Sequence, residues 1–282
     1  VEACLVAADP QDLVNINYMP LYADSFFTDA SAPTMDGVEL SRPLAEMSTD
    51  TDAIPPGMAL LGGANLDEGT EFMGMTPPLA CNATADDFSA WSTSFYGPGL
   101  GPLVPAAYSQ PTWSTPAPLC YGGNATTSYW QAAMRSAGDG AILCRSREML
   151  AAAGSLGNPV FWYFFTATPI WSANWPAGSM PYVGAFHGAE VPFVFGAGFE
   201  LLSDGERSLS AAMGCYWANF AASGNPNDGP SGCATRFGLP QWPVLGATGA
   251  EHEGTAVVFS NTSVTVERGL RAQQCDLFKR FH

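Results

Sequence analysis

Hydrophobic runs of strand length occur at three places along the chain. Residues 58–64 read MALLGGA and end at a polar turn, and residues 159–167 read PVFWYFFTA, so both runs predict strands buried within a sheet. AVVFS at 256–260 is followed across Asn261 by SVTVE at 263–267, a spacing that predicts a short hairpin. So few strands do not complete a sheet, and the fold is expected to be incomplete in this chain.

Apolar residues at helical spacing predict the helices. Residues 126–153 carry the pattern in SYWQAAM and AILCRSREMLAAAG, and residues 204–223 carry it on one face before Gly224 ends the helix. A closing helix is predicted over 271–281 and a short one over 9–15. Strands that alternate with long helices predict one α/β domain over 1–282, with a mainly parallel sheet covered on both faces.

Two stretches lack a steady period. Residues 1–60 are rich in Pro, Asp and small residues and are predicted to be mostly loop, with a turn at 35–37. Residues 76–121 combine Pro, Gly, Ser and aromatic residues, which predicts an irregular capping region with short helices.

Composition predicts a globular protein and argues against nucleic-acid binding and a membrane span. The chain has 282 residues, 47% of them hydrophobic, which is enough for one large core or two modest ones. The formal net charge is −16, so nucleic acid is not an expected partner. No apolar stretch approaches the length of a membrane span, and the first residues do not form a signal peptide.

Cysteines and glycosylation triplets point to an oxidising compartment. Seven cysteines accompany three N-x-S/T triplets, at Asn82, Asn124 and Asn261. We therefore expect a secreted glycoprotein whose leader has been removed or lies upstream. The odd cysteine count leaves one thiol over, and Cys4, at the start of the chain, is the natural candidate for a bridge to another chain.

Two residues could carry acid–base chemistry. His187 lies in GAFHGAEVPFVFG, where two glycines allow a tight loop, and Glu68 lies in NLDEGTEF directly after the first predicted strand. A carboxylate in that position can orient an imidazole and stabilise the imidazolium. From spacing alone, a packed core histidine and a solvated loop acid remain the simpler interpretations.

Several segments resemble the type-B carboxylesterase and cholinesterase-like family, in the family's order. GANLDEGTEF resembles the segment that bears the catalytic glutamate, and AFHGAEVPFVFG resembles the catalytic histidine loop. Further matching segments cover essentially the whole chain: VEACL, PTMDG, CYWANFAASGNPN, QWP and VERGLRAQQCDLFKRF. The resemblance implies an α/β-hydrolase fold of which this chain is the C-terminal part, completed by an N-terminal half.

The resemblance implies a secreted serine carboxylesterase that hydrolyses ester substrates. Glu68 would be the orienting acid and His187 the general base, while the nucleophilic serine would lie outside this chain, which contains no G-x-S-x-G. This chain would then be active only with the N-terminal half. The family's chemistry calls for neither a cofactor nor a metal.

The same resemblance suggests pocket residues and disulfides. Phe26 or Phe27 would line the acyl pocket, and Glu71 with Phe72 would lie where cholinesterases carry an aromatic residue for choline. Cys144 would pair with Cys275, and Cys4 with an upstream cysteine. Proximity in sequence adds two pairings, Cys81 with Cys120 and Cys215 with Cys233.

Two non-catalytic alternatives remain. A cholinesterase-like fold can serve as an adhesion or interaction module, and the chain could be a structural subunit of an extracellular assembly. A module has no chemical need for both Glu68 and His187, so their presence favours the enzyme.

Overall fold

A computed structural model of the chain describes residues 7–10, 35–42, 47, 51, 54–70, 79–108, 119–120, 124–170, 184–196, 203–229, 232–245 and 254–279. The chain divides into two compact units, Val1–Leu44 and Ala45–His282. In the smaller unit, Asp36 Oδ1 accepts the backbone N–H groups of Val38, Glu39 and Leu40, which forms the turn predicted at 35–37. The helix predicted at 9–15 lies mostly outside the described residues.

The larger unit contains all the described strands and the longer helices. Its strands in chain order are β1 (Leu60–Asn65), β2 (Leu119–Cys120), β3 (Asn124–Ala125), β4 (Val160–Phe165), β5 (Ala256–Phe259) and β6 (Val264–Glu267). Its helices are α1 (Ala85–Leu100), α2 (Val104–Ala107), α3 (Ser128–Gly138), α4 (Cys144–Ser155), α5 (Val191–Phe195), α6 (Asp204–Ser223), α7 (Cys233–Arg236) and α8 (Ala272–Lys279). None of these described helices is both long and apolar enough to cross a membrane.

Four strands form a mixed sheet in the order β1-β4-β5-β6. β1 runs parallel to β4 and β4 parallel to β5, while β5 and β6 form an antiparallel hairpin. The mainly parallel sheet and the hairpin predicted from the sequence are therefore confirmed. β2 and β3 pair with each other in a separate two-stranded ribbon.

Helices cover both faces of β4, as its aromatic run predicted. Phe161 and Phe165 belong to a core that includes Met213 and Tyr216 of α6. On the other face, the guanidinium of Arg147 in α4 lies 5.9 Å from the centre of the Trp162 ring. Because successive side chains of a strand point to opposite faces, the strand is buried from both sides.

Capping residues explain where α6 begins and ends. Ser203 and Glu206 form a capping box at its start, and Gly224, with φ of +74°, ends it in the left-handed conformation. The predicted helix over 204–223 is thus confirmed at both ends. A disulfide from Cys215 to Cys233 fastens α6 to α7.

Residues 126–153 are helical as predicted, but with an interruption. A π turn over Asp139–Leu143 joins α3 to α4, a feature that the apolar spacing did not reveal. The disulfide between Cys144 and Cys275 ties the start of α4 to α8.

Residues 76–121 are predicted to be irregular with short helices, and the prediction is wrong in that residues 85–100 form a longer helix, α1, of 16 residues. A capping box between Thr84 and Asp87 starts this helix, and its buried residues are Phe88, Trp91 and Ser92. Gly97, with φ of +78°, and Pro98 kink the last turn. These two residues are strong helix breakers, which is why the sequence pattern concealed the helix.

Candidate functional site

The candidate site lies at the edge of the sheet where the parallel strands end. The backbone N–H of Leu66 donates to Phe165 O at 2.8 Å, and that of Thr166 donates to Phe259 O at 2.8 Å, so the ladder continues one residue past each strand. The chain then leaves the sheet, which places Glu68 just beyond the carboxyl end of β1. Open α/β sheets hold their ligands at this edge.

Glu68 is buried and its carboxylate is held from both sides. Its Oε1 accepts the backbone N–H of Asn65 at 2.7 Å, and its Oε2 lies 2.7 Å from His187 Nδ1. The Glu68 side chain is 6% exposed, whereas that of His187 is 49% exposed. The carboxylate is therefore fixed inside the protein while the imidazole reaches the surface.

The histidine loop turns tightly around two glycines. Gly184 and Gly188 have φ of +75° and +79°, values that a residue with a Cβ adopts only with strain. Phe186, directly before His187, is buried, and α5 begins soon after the loop. A carboxylate only accepts, so the proton shared with Glu68 belongs on Nδ1, and Nε2 keeps its lone pair.

Three residues that the sequence interpretation missed brace the histidine loop. Asn65 Nδ2 donates to Phe186 O at 2.7 Å and to Glu190 Oε2 at 2.5 Å. Tyr163 donates its hydroxyl to Glu190 Oε1 at 3.2 Å. Burial, reinforced by the Glu190 charge, raises the pKa of the Tyr163 hydroxyl well above its ordinary value, so it remains a donor. Two of these residues could have been found from their places in the sequence. Asn65 comes at the end of the first predicted strand, and Glu190 follows His187 by three residues.

Asp67, the residue before Glu68, is buried and forms an ion pair. Its Oδ1 accepts from Arg135 Nε at 2.9 Å, and its Oδ2 accepts the backbone N–H of Ala185 at 3.0 Å. Arg135 belongs to α3 and is 2% exposed. The carboxylate of Asp67 therefore connects three segments: the turn that carries Glu68 (the acid loop, residues 66–70), the loop that carries His187 (the histidine loop, residues 184–190) and α3.

Only some of the other residues predicted to form the pocket or disulfides lie in the part of the chain that the structure describes. The four suggested pocket residues and the cysteine expected to pair outside this chain lie outside the described residues: Phe26, Phe27, Glu71, Phe72 and Cys4. Cys81 is disulfide-bonded, but the side chain of Cys120 is not described, so that pairing stays a prediction.

The glycosylation triplets differ in their surroundings. Asn82 and Asn261 are both exposed, but the carboxamide of Asn261 is hydrogen-bonded to both backbone groups of Thr168. Asn261 Oδ1 accepts Thr168 N–H at 2.8 Å, and Asn261 Nδ2 donates to Thr168 O at 3.0 Å. The side chain of Asn124 lies outside the described residues.

The pair Glu68–His187 has the geometry of a general base and its orienting acid. A buried carboxylate that fixes the Nδ1–H tautomer leaves Nε2 able to take a proton from a hydroxyl and to return it. Among the described residues, no group of three His, Cys, Asp or Glu side chains is arranged to hold a metal ion.

Comparison with known proteins gives consistent results. A profile of the Carboxylesterase family matches residues 1–278. The chain is 27% identical to mouse (Mus musculus) Cholinesterase over 291 aligned residues, which cover 99% of this chain and 44% of that protein. It is 31% identical to Acetylcholinesterase 1 of Caenorhabditis briggsae over 54% of this chain and 24% of the relative.

A third relative is Acetylcholinesterase of Electrophorus electricus, 37% identical over 38% of this chain and 16% of that protein. The chain therefore spans less than half the length of these relatives. Since the family profile covers nearly the whole chain, the protein belongs to the carboxylesterase family, of the type-B or cholinesterase-like kind, with its α/β-hydrolase fold.

Proposed function

We propose that this chain provides the acid and the base of a secreted serine carboxylesterase. The observation that carries the proposal is the 2.7 Å contact between the buried Glu68 carboxylate and Nδ1 of the half-exposed His187. Glu68 orients the ring and His187 is the general base. The nucleophilic serine comes from outside this chain, whose sequence contains no G-x-S-x-G.

The reaction is hydrolysis of a carboxylic ester in two steps. His187 Nε2 takes the proton of the serine hydroxyl while the serine oxygen attacks the carbonyl carbon. The imidazolium, stabilised by Glu68, gives that proton to the leaving alkoxide oxygen, and an acyl-serine remains. Nε2 then takes a proton from water, whose oxygen attacks the acyl carbon. The proton returns to the serine, which releases the carboxylic acid.

The partner that carries the serine is the N-terminal half of the same hydrolase. Relatives of more than twice this length support it, and so does the sheet, in which β1 is paired on one side only within the described part of the chain. The exposed face beside the site also supports it. Val191 and Phe195 follow His187 at helical spacing and are 47% and 77% exposed, and apolar side chains of that size are normally covered.

One buried atom of the site supports the same partner. Asn65 Oδ1 is buried and has no hydrogen-bond donor among the described residues. Buried carboxamide oxygens are almost always satisfied, so a donor from the serine-bearing half or an ordered water would complete this one. We also propose that Cys4 forms a disulfide with that half.

The disulfides support the proposal that the protein is secreted. Two disulfides, Cys144–Cys275 and Cys215–Cys233, and a disulfide-bonded Cys81 suit an oxidising compartment. Asn82 is the favoured glycosylation acceptor, because the carboxamide of the equally exposed Asn261 is already paired with Thr168.

The test uses the assembled protein, with this chain and the serine-bearing half together. A fluorophosphonate probe should label the other half and leave this chain unlabelled, and a neutral ester should be hydrolysed. His187→Gln should abolish turnover and leave the fold intact. His252, which lies in the polar sequence GAEHEG and in no segment resembling a catalytic motif, is the control, and His252→Gln should retain wild-type turnover. Labelling of a serine in this chain would contradict the two-part site. Absence of turnover in the wild type would favour the adhesion module, whereas full turnover in His187→Gln would remove His187 as the general base.

A further inference from the structure

Asp67 and Arg135 form an ion pair in the interior of the larger unit. The Oδ1–Nε distance is 2.9 Å, and the side chains are 1% and 2% exposed. Removing two charges from water costs several kcal/mol per ion, so a buried pair of this kind is weak evidence of a gain in stability. A gain in stability does not by itself explain why this ion pair is buried, so its other contacts indicate its role.

The second carboxylate oxygen of Asp67 reaches the histidine loop. Oδ2 accepts the backbone N–H of Ala185 at 3.0 Å, and the backbone N–H of Asp67 donates to Ala185 O at 2.9 Å. Ala185 is fully buried. Asp67 directly precedes Glu68, and Ala185 precedes His187 by two residues, so these two bonds join the chain segments that carry the acid and the base.

The acid loop is also held firmly against α3, the helix that carries Arg135. Arg135 belongs to α3, and Gly138 of the same helix packs so closely on Gly69 that a Cβ at Gly138 would lie 2.5 Å from Gly69 N. Asp67 O accepts the hydroxyl of Thr70 at 2.7 Å, which stiffens the turn that carries Glu68. The acid loop is thus fixed on α3, and the histidine loop is fixed on the acid loop.

We propose that Asp67 is a positioning residue that sets the separation of Glu68 and His187, with Arg135 as the counter-ion that keeps its carboxylate charged and oriented. This inference rests on the proposed esterase function. A displacement of about 1 Å in a catalytic geometry can cost about 100-fold in rate. The contact to Ala185 is the link through which loss of the Asp67 carboxylate would displace His187.

The chain offers a matched control, because a second buried aspartate pairs with a second arginine. Asp139 is 2% exposed, and its Oδ2 accepts the Tyr108 hydroxyl at 2.6 Å and lies 3.5 Å from Arg271 Nε. Neither of these contacts reaches the histidine loop, although the Asp139 charge is also felt by Arg135 and Asp67. Asp139→Asn therefore perturbs a buried ion pair as Asp67→Asn does, but without breaking the bond to Ala185.

The experiment compares the two variants in the assembled protein, with kcat expressed per folded molecule well below each melting temperature. Asp67→Asn should lower kcat by about 10- to 100-fold with KM changed by less than about 2-fold, and Asp139→Asn should leave both near the wild-type values. Equal kcat values for the two variants would overturn the proposal. The double variant Asp67→Asn/Arg135→Gln, which removes both charges, should regain stability and keep the low kcat.

A readout without catalysis separates this inference from the proposed function. The Nδ1–H proton of His187, seen by NMR in the wild type, should broaden or shift upfield in Asp67→Asn, and the Ala185 amide should exchange faster with solvent. Both should stay unchanged in Asp139→Asn. If the wild type lacks esterase activity, the proposed function fails while these signals still decide whether Asp67 positions His187. Unchanged signals in Asp67→Asn would overturn the positioning role.

Discussion

Gly69 and Gly138 meet backbone to backbone beside the site. A Cβ built on Gly69 would lie 2.1 Å from Met134 O, and one built on Gly138 would lie 2.9 Å from Glu68 Cβ. The loop that carries Glu68 therefore approaches α3 as closely as two main chains can. No side chain larger than hydrogen fits at either position without moving the acid.

Gly138→Ala should accordingly destabilise the protein and displace Glu68. Overpacking of a tight interior contact costs about 1–3 kcal/mol, so the melting temperature should fall by about 2 °C or more. Gly214→Ala is the matched control, since a Cβ there would meet Val194 O at an ordinary 3.6 Å. Thermal unfolding measures both variants, and equal melting temperatures would show that the Gly69–Gly138 contact is looser than described.

Glu68→Gln should remove catalysis with little loss of folding. The glutamine oxygen can still accept the Asn65 N–H, but its amide group would face His187 Nδ1 as a donor. The imidazole would then carry its proton on Nε2, the wrong tautomer for a general base, and kcat should fall by about 10³- to 10⁴-fold. Steady-state kinetics of the assembled enzyme measures this loss. A variant within a few-fold of wild type would remove Glu68 from the mechanism.

The Asn261 triplet should be unoccupied in the folded protein. A glycosylated asparagine is a secondary amide, which favours the trans form by about 2.5 kcal/mol and so places the sugar on the same side as Oδ1. That side of Nδ2 already donates to Thr168 O, because both atoms of the carboxamide pair with Thr168. Peptide mass spectrometry should find a glycan on Asn82 and none on Asn261.

Two variants separate modification from structure at this triplet. Ser263→Ala removes the acceptor triplet and should leave both mass and melting temperature near wild type. Asn261→Ala should lower the melting temperature by several degrees, because the N–H and C=O of the buried Thr168 lose their partners. A mass decrease of glycan size in Ser263→Ala would contradict the prediction.

Neutral apolar or aromatic esters should be better substrates than choline esters. The resemblance to cholinesterases places Glu71, and not an aromatic residue, close after the acid, which removes a cation–π partner for choline. The measurement compares kcat/KM for acetylcholine with that for a neutral ester of the same acyl group. A carboxylate also attracts cations, so a strong preference for choline would mean that Glu71 itself binds the substrate.

Cys4 should be linked to a cysteine outside this sequence. If the two halves fold together before any cleavage, the bridge forms first and is retained. Mass spectrometry of non-reduced peptides should find Cys4 joined to a foreign peptide, alongside Cys144–Cys275. A free Cys4 thiol, or a bridge from Cys4 to another cysteine of this chain, would contradict the proposed partner.

The sequence by itself determined the elements whose signals are local. The helix over 204–223 carries its cap residues and its apolar face within one stretch of chain, and the run PVFWYFFTA can only be buried on both sides. Motif resemblance likewise singled out Glu68 and His187, since each lies in a continuous segment, and the structure brings the two side chains within 2.7 Å. By contrast, Gly97 and Pro98 concealed α1, because breaker residues outweigh a short apolar period.

Only the tertiary structure decided what joins these segments. The contacts of Asp67 with Arg135 and Ala185, and of Asn65 with Glu190, connect positions far apart in the chain. No periodicity encodes such pairs, because a buried carboxylate and a solvated one have the same letter in the sequence. The partners of Asp67 and Asn65 are determined by the tertiary structure. The parallel sheet brings the ends of separate strands to one edge, and the packing of α3 excludes water there.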